Sequence, residues 1–220
     1  MQTGKMDEML HRMVNTQIKS RGITDEKVIE AMLNVKRHLF VSPEQQDEAY
    51  DDHPLAIGYS QTISQPYMVA IMSEKLRVEK TMTVLEIGSG SGYQTGILGY
   101  LAAKVYSIER VAELTTMAWS NLRKAMINNV ELKTADGTQG WPEYAPFDRV
   151  IVTAAGRRIP KPLVDQLKPG GVMVIPVGDG MMQTLNRIEK TLDSSTPEGY
   201  RLNVEKLNHC VFVPLIGEHA

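Results

Sequence analysis

The sequence predicts an α/β chain built on a doubly wound, mostly parallel sheet, with a layer of helices ahead of it. Three observations carry that reading. Thr83-Val84-Leu85-Glu86-Ile87 is a short apolar run rich in β-branched residues, the pattern of a buried parallel strand. It breaks into Gly88-Ser89-Gly90-Ser91-Gly92, after which Tyr93 to Leu101 reads as helix. Apolar runs and helical stretches then alternate downstream, as a doubly wound sheet requires. Strand, glycine turn and helix together make the ligand end of such a sheet, with free helix N–H groups offered to a polar or negative group.

Ahead of that unit, residues 6 to 20 place Met6, Met9, Leu10, Met13, Val14 and Gln17 at helical spacing, and Arg21-Gly22 ends the helix. Thr24 is the expected cap of the next helix, with Asp25 and Glu26 suiting its amino end and Val28, Ile29, Met32 and Leu33 as its buried face. The methionines read as core filler. Ser42-Pro43 starts a third short helix. Asp51 to Gln65 shows neither helical nor strand period, and Pro66 opens a helix through Leu76. A long loop directly before the ligand-binding strand is a candidate functional loop. The expected division is one domain over residues 1–220, with a helical accessory segment at 1–50, an active-site loop at 51–66 and the core at 67–220.

Lys104 to Ile108 is the second strand, closed by Glu109; Val111 to Asn128 is helix, with Leu114, Met117, Ala118, Leu122 and Ala125 inward. Val130 to Thr134 and Phe147 to Thr153 are the third and fourth strands, the latter ending in the small residues Ala154-Ala155-Gly156. Pro162 to Leu167 reads as helix, Lys168-Pro169-Gly170-Gly171 as a turn, and Val172 to Val177 as the fifth strand. Thr184 to Lys190 and Val204 to Leu215 close the sheet, joined by the polar stretch Asp193 to Gly199.

Composition narrows the function classes. The chain has 220 residues, 42% of them hydrophobic and 23% charged, ordinary for a globular domain. A net charge of −2 supplies no basic field for nucleic acid or an anionic membrane. No apolar run approaches a membrane span, and the first twenty residues are too charged for a signal peptide. The single Cys210, in an apolar run, reads as a buried thiol and fits a reducing compartment, so a cytoplasmic location is expected. The five histidines show no metal-ligand spacing, and no metal site is expected.

The dinucleotide fingerprint G-x-G-x-x-G fails in both registers, because Tyr93 or Thr95 stands where glycine is needed. What is present is Glu86 two residues before Gly88, Gly90 and Gly92, which resembles the first motif of the class I S-adenosylmethionine (AdoMet) methyltransferases. Glu109 falls about 20 residues beyond Gly88, where an acid accepts from ribose hydroxyls. Asp136, in the turn Ala135-Asp136-Gly137, can accept from an adenine amino group or serve only as a turn aspartate.

The loop Gly58-Tyr59-Ser60-Gln61-Thr62-Ile63-Ser64-Gln65-Pro66 resembles the signature of the protein-L-isoaspartate O-methyltransferases. Gly137-Thr138-Gln139-Gly140-Trp141, Ala145-Pro146-Phe147-Asp148, Leu167 to Gly171 and Phe212-Val213-Pro214-Leu215 match as well, so the likeness spans about residues 10 to 216. It implies a Rossmann-like methyltransferase core and AdoMet as cofactor, held by Glu86, Gly88, Gly90, Gly92, Glu109, Asp136 and Gly137. It implies Ser64 as the catalytic contact to the acceptor carboxylate, with Thr62, Ile63, Val213, Pro214 and Leu215 binding substrate. The implied partners are isoaspartyl-containing proteins and peptides, methylated on the free α-carboxylate so that a succinimide re-forms. Some members carry a histidine five residues past the loop serine, where this chain has Val69. A carboxylate with a pKa near ~3.5 is already anionic at neutral pH and needs no general base. The alternatives are an AdoMet enzyme for another carboxylate and a non-catalytic AdoMet-binding module.

Overall fold

The structure is a computed structural model and describes residues 2–220. Five parallel strands form its centre: β3 (Thr83–Ile87), β4 (Lys104–Glu109), β5 (Val130–Thr134), β6 (Phe147–Val152) and β7 (Leu167–Asp179). Two antiparallel strands, β8 (Met182–Leu192) and β9 (Tyr200–Cys210), extend one edge, giving the order β5-β4-β3-β6-β7-β8-β9. The chain winds outward in both directions from β3. The carboxyl ends of β3 and β6 therefore flank the point where strand order reverses, which is where such sheets bind ligands.

Alternation along the strands sorts apolar side chains into two cores. Val84, Val105, Ile151 and Val174 face α3 (Pro66–Leu76), α4 (Tyr93–Leu101) and the amino-terminal helices. Leu85, Ile87, Val150, Val152 and Met173 face the opposite way, toward Leu163 and Val164 of α6 (Lys161–Asp165). α5 (Ala112–Lys124) buries Leu114, Ala118 and Leu122, while Met117 and Ala125 are only half-buried. It stops before the expected Asn128, because Met126 takes a left-handed φ of 58°.

The amino-terminal layer departs from its expected form in three places. α1 (Gln2–Met13) passes into a π turn, Val14–Ile18, and a 3₁₀ turn, Lys19–Arg21, before Gly22 ends it at φ 90°. The cap of α2 (Glu26–Asn34) is Asp25 rather than Thr24: Asp25 Oδ1 accepts from Lys27 N at 2.9 Å and Val28 N at 3.4 Å. Thr24 N instead donates to Glu74 Oε1 of α3. Pro43–Glu48 is a 3₁₀ helix in which the Ser42 side chain caps nothing.

The segment expected as an irregular loop holds a small antiparallel hairpin, β1 (Leu55–Gly58) with β2 (Gln61–Ile63). Leu55, Ile57 and Ile63 point into the first core. Its turn is tight, with Gly58, Tyr59 and Ser60 all left-handed. Near the other end of the chain, Leu167–Gly171 belongs to β7 instead of forming a helix end and a turn, and a register shift beside Gly170 (φ 76°) absorbs the bend. Residues 211–215 lie beyond β9, held to Ala155 by two backbone hydrogen bonds.

Candidate functional site

A cleft of about 950 Å³, counting space open to solvent, lies over the carboxyl ends of β3 and β6. Its first wall is the hairpin's outgoing strand and the residue after it, Gln61 to Ser64. Its floor is the glycine turn, Gly88 to Ser91, with Tyr93 and Gln94 at the start of α4. Glu109 to Val111, Gly137, Thr153 and Ala154 continue the floor, and Val213 to Ile216 make the second wall.

The turn explains its glycines. Gly90 has φ 52°, and a Cβ there would meet only Ile57 Cδ1 at 3.4 Å, so the cleft side stays open to a ligand. Gly88 has φ 98°, and a Cβ would collide with Thr153 Oγ1. That hydroxyl donates to Gly88 O at 2.7 Å and so locks the turn to the end of β6. Gly92 does not line the cleft; it lets Ala118 of α5 approach to within 3.2 Å of where a Cβ would stand.

The three acids expected at the cofactor are placed differently from one another. Glu109 lines the cleft and is nearly buried, with Oε2 accepting from Gly90 N at 3.0 Å and Oε1 from Val111 N at 3.0 Å. It thereby joins the glycine turn to the strand end beside it.

Glu86 does not reach the cleft. It is fully buried behind the turn, where Oε2 accepts from Thr95 Oγ1 at 2.5 Å and Ser107 Oγ at 2.6 Å while Oε1 has no partner. Burial pushes its carboxyl up to about 7, against the pull of the two hydroxyls, and the Glu109 charge adds to the rise. Ser107 Oγ also lies 2.6 Å from Ser89 Oγ, so Glu86 acts on the turn through two serines.

Asp136 is also outside the cleft lining. Its Oδ1 accepts from Thr138 N at 2.8 Å and Thr138 Oγ1 at 2.7 Å, and its Oδ2 from Glu218 N at 2.8 Å. Burial alone would raise its pKa, but those hydrogen bonds outweigh it and hold the group below its ordinary value.

Of the residues expected at the substrate, Thr62, Ile63, Ser64, Val213, Pro214 and Leu215 all line the cleft. Ser64 is half-buried, and the cap of α3 is Gln65, whose side chain makes no capping bond. Ala155 N donates to Val213 O and Leu215 N to Ala155 O, so the second wall hangs on the loop after β6. Val69, on α3, lies in the lining at the place noted for a histidine elsewhere. Thr153, Gln94 and Ile216 also line the cleft without having been singled out from the sequence. Position at a parallel strand's carboxyl end was the available signal for Thr153, and the first turn of the ligand helix for Gln94. Ile216 carries no such signal.

Comparison with known proteins identifies the family and the fold. The family model described as protein-L-isoaspartate(D-aspartate) O-methyltransferase matches residues 8–220. A protein-L-isoaspartate O-methyltransferase of Geobacter metallireducens is 50% identical over 95% of this chain and 94% of its own length. One of Dictyoglomus thermophilum is 50% identical over 92% of this chain and 89% of its own. A Plasmodium falciparum structure assigned to the same activity, in complex with S-adenosyl-L-homocysteine, superposes with a TM-score of 0.79 at 26% identity. It covers 96% of this chain and 98% of its own. The chain belongs to the protein-L-isoaspartate(D-aspartate) O-methyltransferase family.

Proposed function

We propose that this chain transfers the AdoMet methyl group to the free α-carboxylate of L-isoaspartyl residues in damaged proteins and peptides, with Ser64 as the group that orients the acceptor. The observation that carries the reading is that Thr62 and Ser64 line the same cleft as the glycine turn and Glu109. The left-handed, side-chain-free turn at Gly90 and the carboxylate of Glu109 fit a nucleoside, which supplies an electrophilic methyl on a sulfonium when bound.

The chain's own task is then positional. A carboxylate oxygen must stand in line with the C–S bond while water is kept out, and no protein group need accept a proton. Thr62 and Ser64 bring hydroxyls to the acceptor from the hairpin side. Val213 to Leu215 bring a backbone edge from the other, along which an extended peptide can lie. Gly88, Gly90, Glu109 and Gly137 hold the cofactor. Glu86, Gly92 and Asp136 act on it only indirectly, by shaping the turn, the α4–α5 contact and the Asp136–Thr138 turn. Bound there, AdoMet would supply the methyl group that turns the carboxylate into its ester, its sulfonium becoming a neutral thioether.

We also infer a cytoplasmic site of action. No helix among the described residues is long and apolar enough to cross a membrane. The one thiol, Cys210, is buried and has no second cysteine in the chain to pair with, which fits a reducing compartment.

Labelled AdoMet with paired isoaspartyl and aspartyl peptides tests the reading. The isoaspartyl peptide should take up label far faster than its twin. Equal rates, or labelling only of a free small acid, would overturn the substrate assignment. Cofactor binding without any transfer would leave only a binding module.

A further inference from the structure

The amide of Gln94, in the first turn of α4, is held in one orientation by the residues around it. Gln94 lines the cleft and is only 8% exposed. Its Nε2 donates to Ser73 Oγ at 2.9 Å, and Ser73 Oγ, wholly buried on α3, donates in turn to Val69 O at 2.8 Å. A hydroxyl carries a single proton, and here it is spent on Val69 O, so Ser73 can only accept from Gln94. The amide therefore keeps its N–H side on α3 and turns its carbonyl oxygen, Oε1, the other way. Among the described residues no group donates to Oε1, yet unlike Glu86 Oε1 it is not sealed off from solvent. What this nearly buried side chain offers the cleft is a fixed hydrogen-bond acceptor.

We propose that Gln94 Oε1 receives the α-ammonium group at the amino-acid end of the cofactor. The inference rests on the cofactor reading above and adds a residue to it. That ammonium is a full positive charge, which must find acceptors when it leaves water. Glu109 is the only carboxylate in the lining among the described residues, and both its oxygens already accept, from Gly90 N and Val111 N. It also closes β4, on one side of β3, whereas Gln94 is tied to α3, which packs over β6 and β7 on the other. A cofactor laid across the strand ends with its ribose at Glu109 thus brings its amino-acid end toward Gln94. Gln61, the other amide in the lining, is half-buried and donates to Tyr59 O within its own hairpin, so α3 does not orient it. The same orientation excludes the acceptor carboxylate as the partner of Gln94, because a bare carbonyl oxygen repels an anion. An oxygen pinned by two successive hydrogen bonds meets the ammonium without rearranging first.

Calorimetric titration of the full chain with three ligands reads this contact. They are S-adenosylhomocysteine, its analogue with hydrogen in place of the α-amino group, and 5′-methylthioadenosine, which lacks the amino-acid end. Gln94→Leu removes the acceptor at nearly constant volume. It should weaken S-adenosylhomocysteine roughly 10- to 100-fold and leave the other two ligands unchanged. Ser73→Ala keeps Gln94 but frees its amide to turn, so it should give a smaller loss with the same selectivity. It carries the test if Gln94→Leu does not fold. Equal weakening of all three ligands would overturn the assignment and leave Gln94 as a residue that only shapes the glycine turn. Unchanged S-adenosylhomocysteine affinity with a raised KM for isoaspartyl peptide would overturn it too, and would give the oxygen to a peptide N–H. In either case the parent still binds S-adenosylhomocysteine; a parent that does not would remove the cofactor reading itself.

Discussion

Ser64 stands one residue ahead of the Gln65 cap, so its hydroxyl is not spent on ending the hairpin or starting α3. Ser64→Ala should therefore lose about 10- to 100-fold in kcat/KM for an isoaspartyl peptide, the worth of one hydrogen bond to a charged group. Cofactor affinity and Tm should hold. A drop in Tm with unchanged peptide kinetics would make Ser64 a structural residue and pass the role to Thr62. Glu86 yields a second prediction, with a definite sign. Its folded pKa is raised from 4.5 to about 7, so the folded state binds more protons than the unfolded chain between those values. The stability this group permits is complete below about pH 4.5 and is lost as pH rises through 7, amounting to about 3 kcal/mol. Glu86→Gln keeps an acceptor for Thr95 and Ser107 but cannot ionise. Urea unfolding from pH 5 to 8 should show the parent falling relative to the variant by that order, and parallel profiles would refute it. The placement of Glu86 was legible in principle. Period-two alternation puts Glu86 on the same face as Val84, toward α4, and so away from the strand end. The engagement of Asp136 was not legible, because its partner Glu218 lies 82 residues away in sequence.

Between residue and fold sits the hairpin β1–β2, which brings Thr62 and Ser64 to the glycine turn. Its strands are four and three residues long, too short for an alternating pattern to stand out, and Tyr59-Ser60 at its turn has none of the usual glycine or asparagine signal. The helices were legible from a period repeated over several turns and β3 to β6 from apolar runs bounded by turns, although α1 and α5 end differently from their expected forms. At β7 the misreading ran the other way: Gly170-Gly171 signals a turn, but the glycines serve a bulge inside a strand. One side chain outside the cleft brackets the hairpin. Arg21 Nη1 lies 2.9 Å from Asp52 Oδ2, and its guanidinium is stacked 3.6 Å from the ring centroid of Tyr67. Asp52 precedes the hairpin and Tyr67 follows Ser64, so Arg21 staples both flanks. A half-exposed pair and a cation–π contact together contribute about 1–2 kcal/mol. Arg21→Ala should cost that much stability and slow peptide methylation several-fold while S-adenosylhomocysteine affinity is unchanged. Arg21→Lys should recover part of the rate, since lysine keeps the charge but not the flat stacking surface. Loss of cofactor affinity in step with rate, or no change in peptide kinetics, would show that the staple does not position the hairpin.

Across the whole molecule, the amino-terminal helices behave as core rather than as an added layer. Val28, Ile29, Met32, Val35 and Phe40 are in one buried cluster with Ile97, Leu98 and the strand residues Val84 and Val105. Gly96 of α4 is in contact with that layer, since a Cβ there would meet Val35 Cγ1 at 3.1 Å and Phe40 Cζ at 3.2 Å. The Phe40 ring packs edge-on against Tyr93, whose own position lines the cleft. Arg37, wholly buried with its guanidinium over the Tyr93 ring, adds a polar tie through Nε to Ala49 O. The start of α4 and residues 26–40 are packed into one buried cluster, so the two should share one unfolding transition. A ligand that binds only the folded state stabilises everything that unfolds with its site, by about 2.7 kcal/mol at a hundredfold excess over Kd. For a chain of this size that corresponds to roughly 5–10 °C in Tm. Hydrogen exchange followed against temperature should show peptides from 26–40 and from 83–101 losing protection together, and S-adenosylhomocysteine should raise both midpoints equally. If 26–40 opens at a lower temperature and ignores the ligand, the helical layer is a separate cooperative unit. Its contacts with α4 would then be packing without energetic coupling to the site.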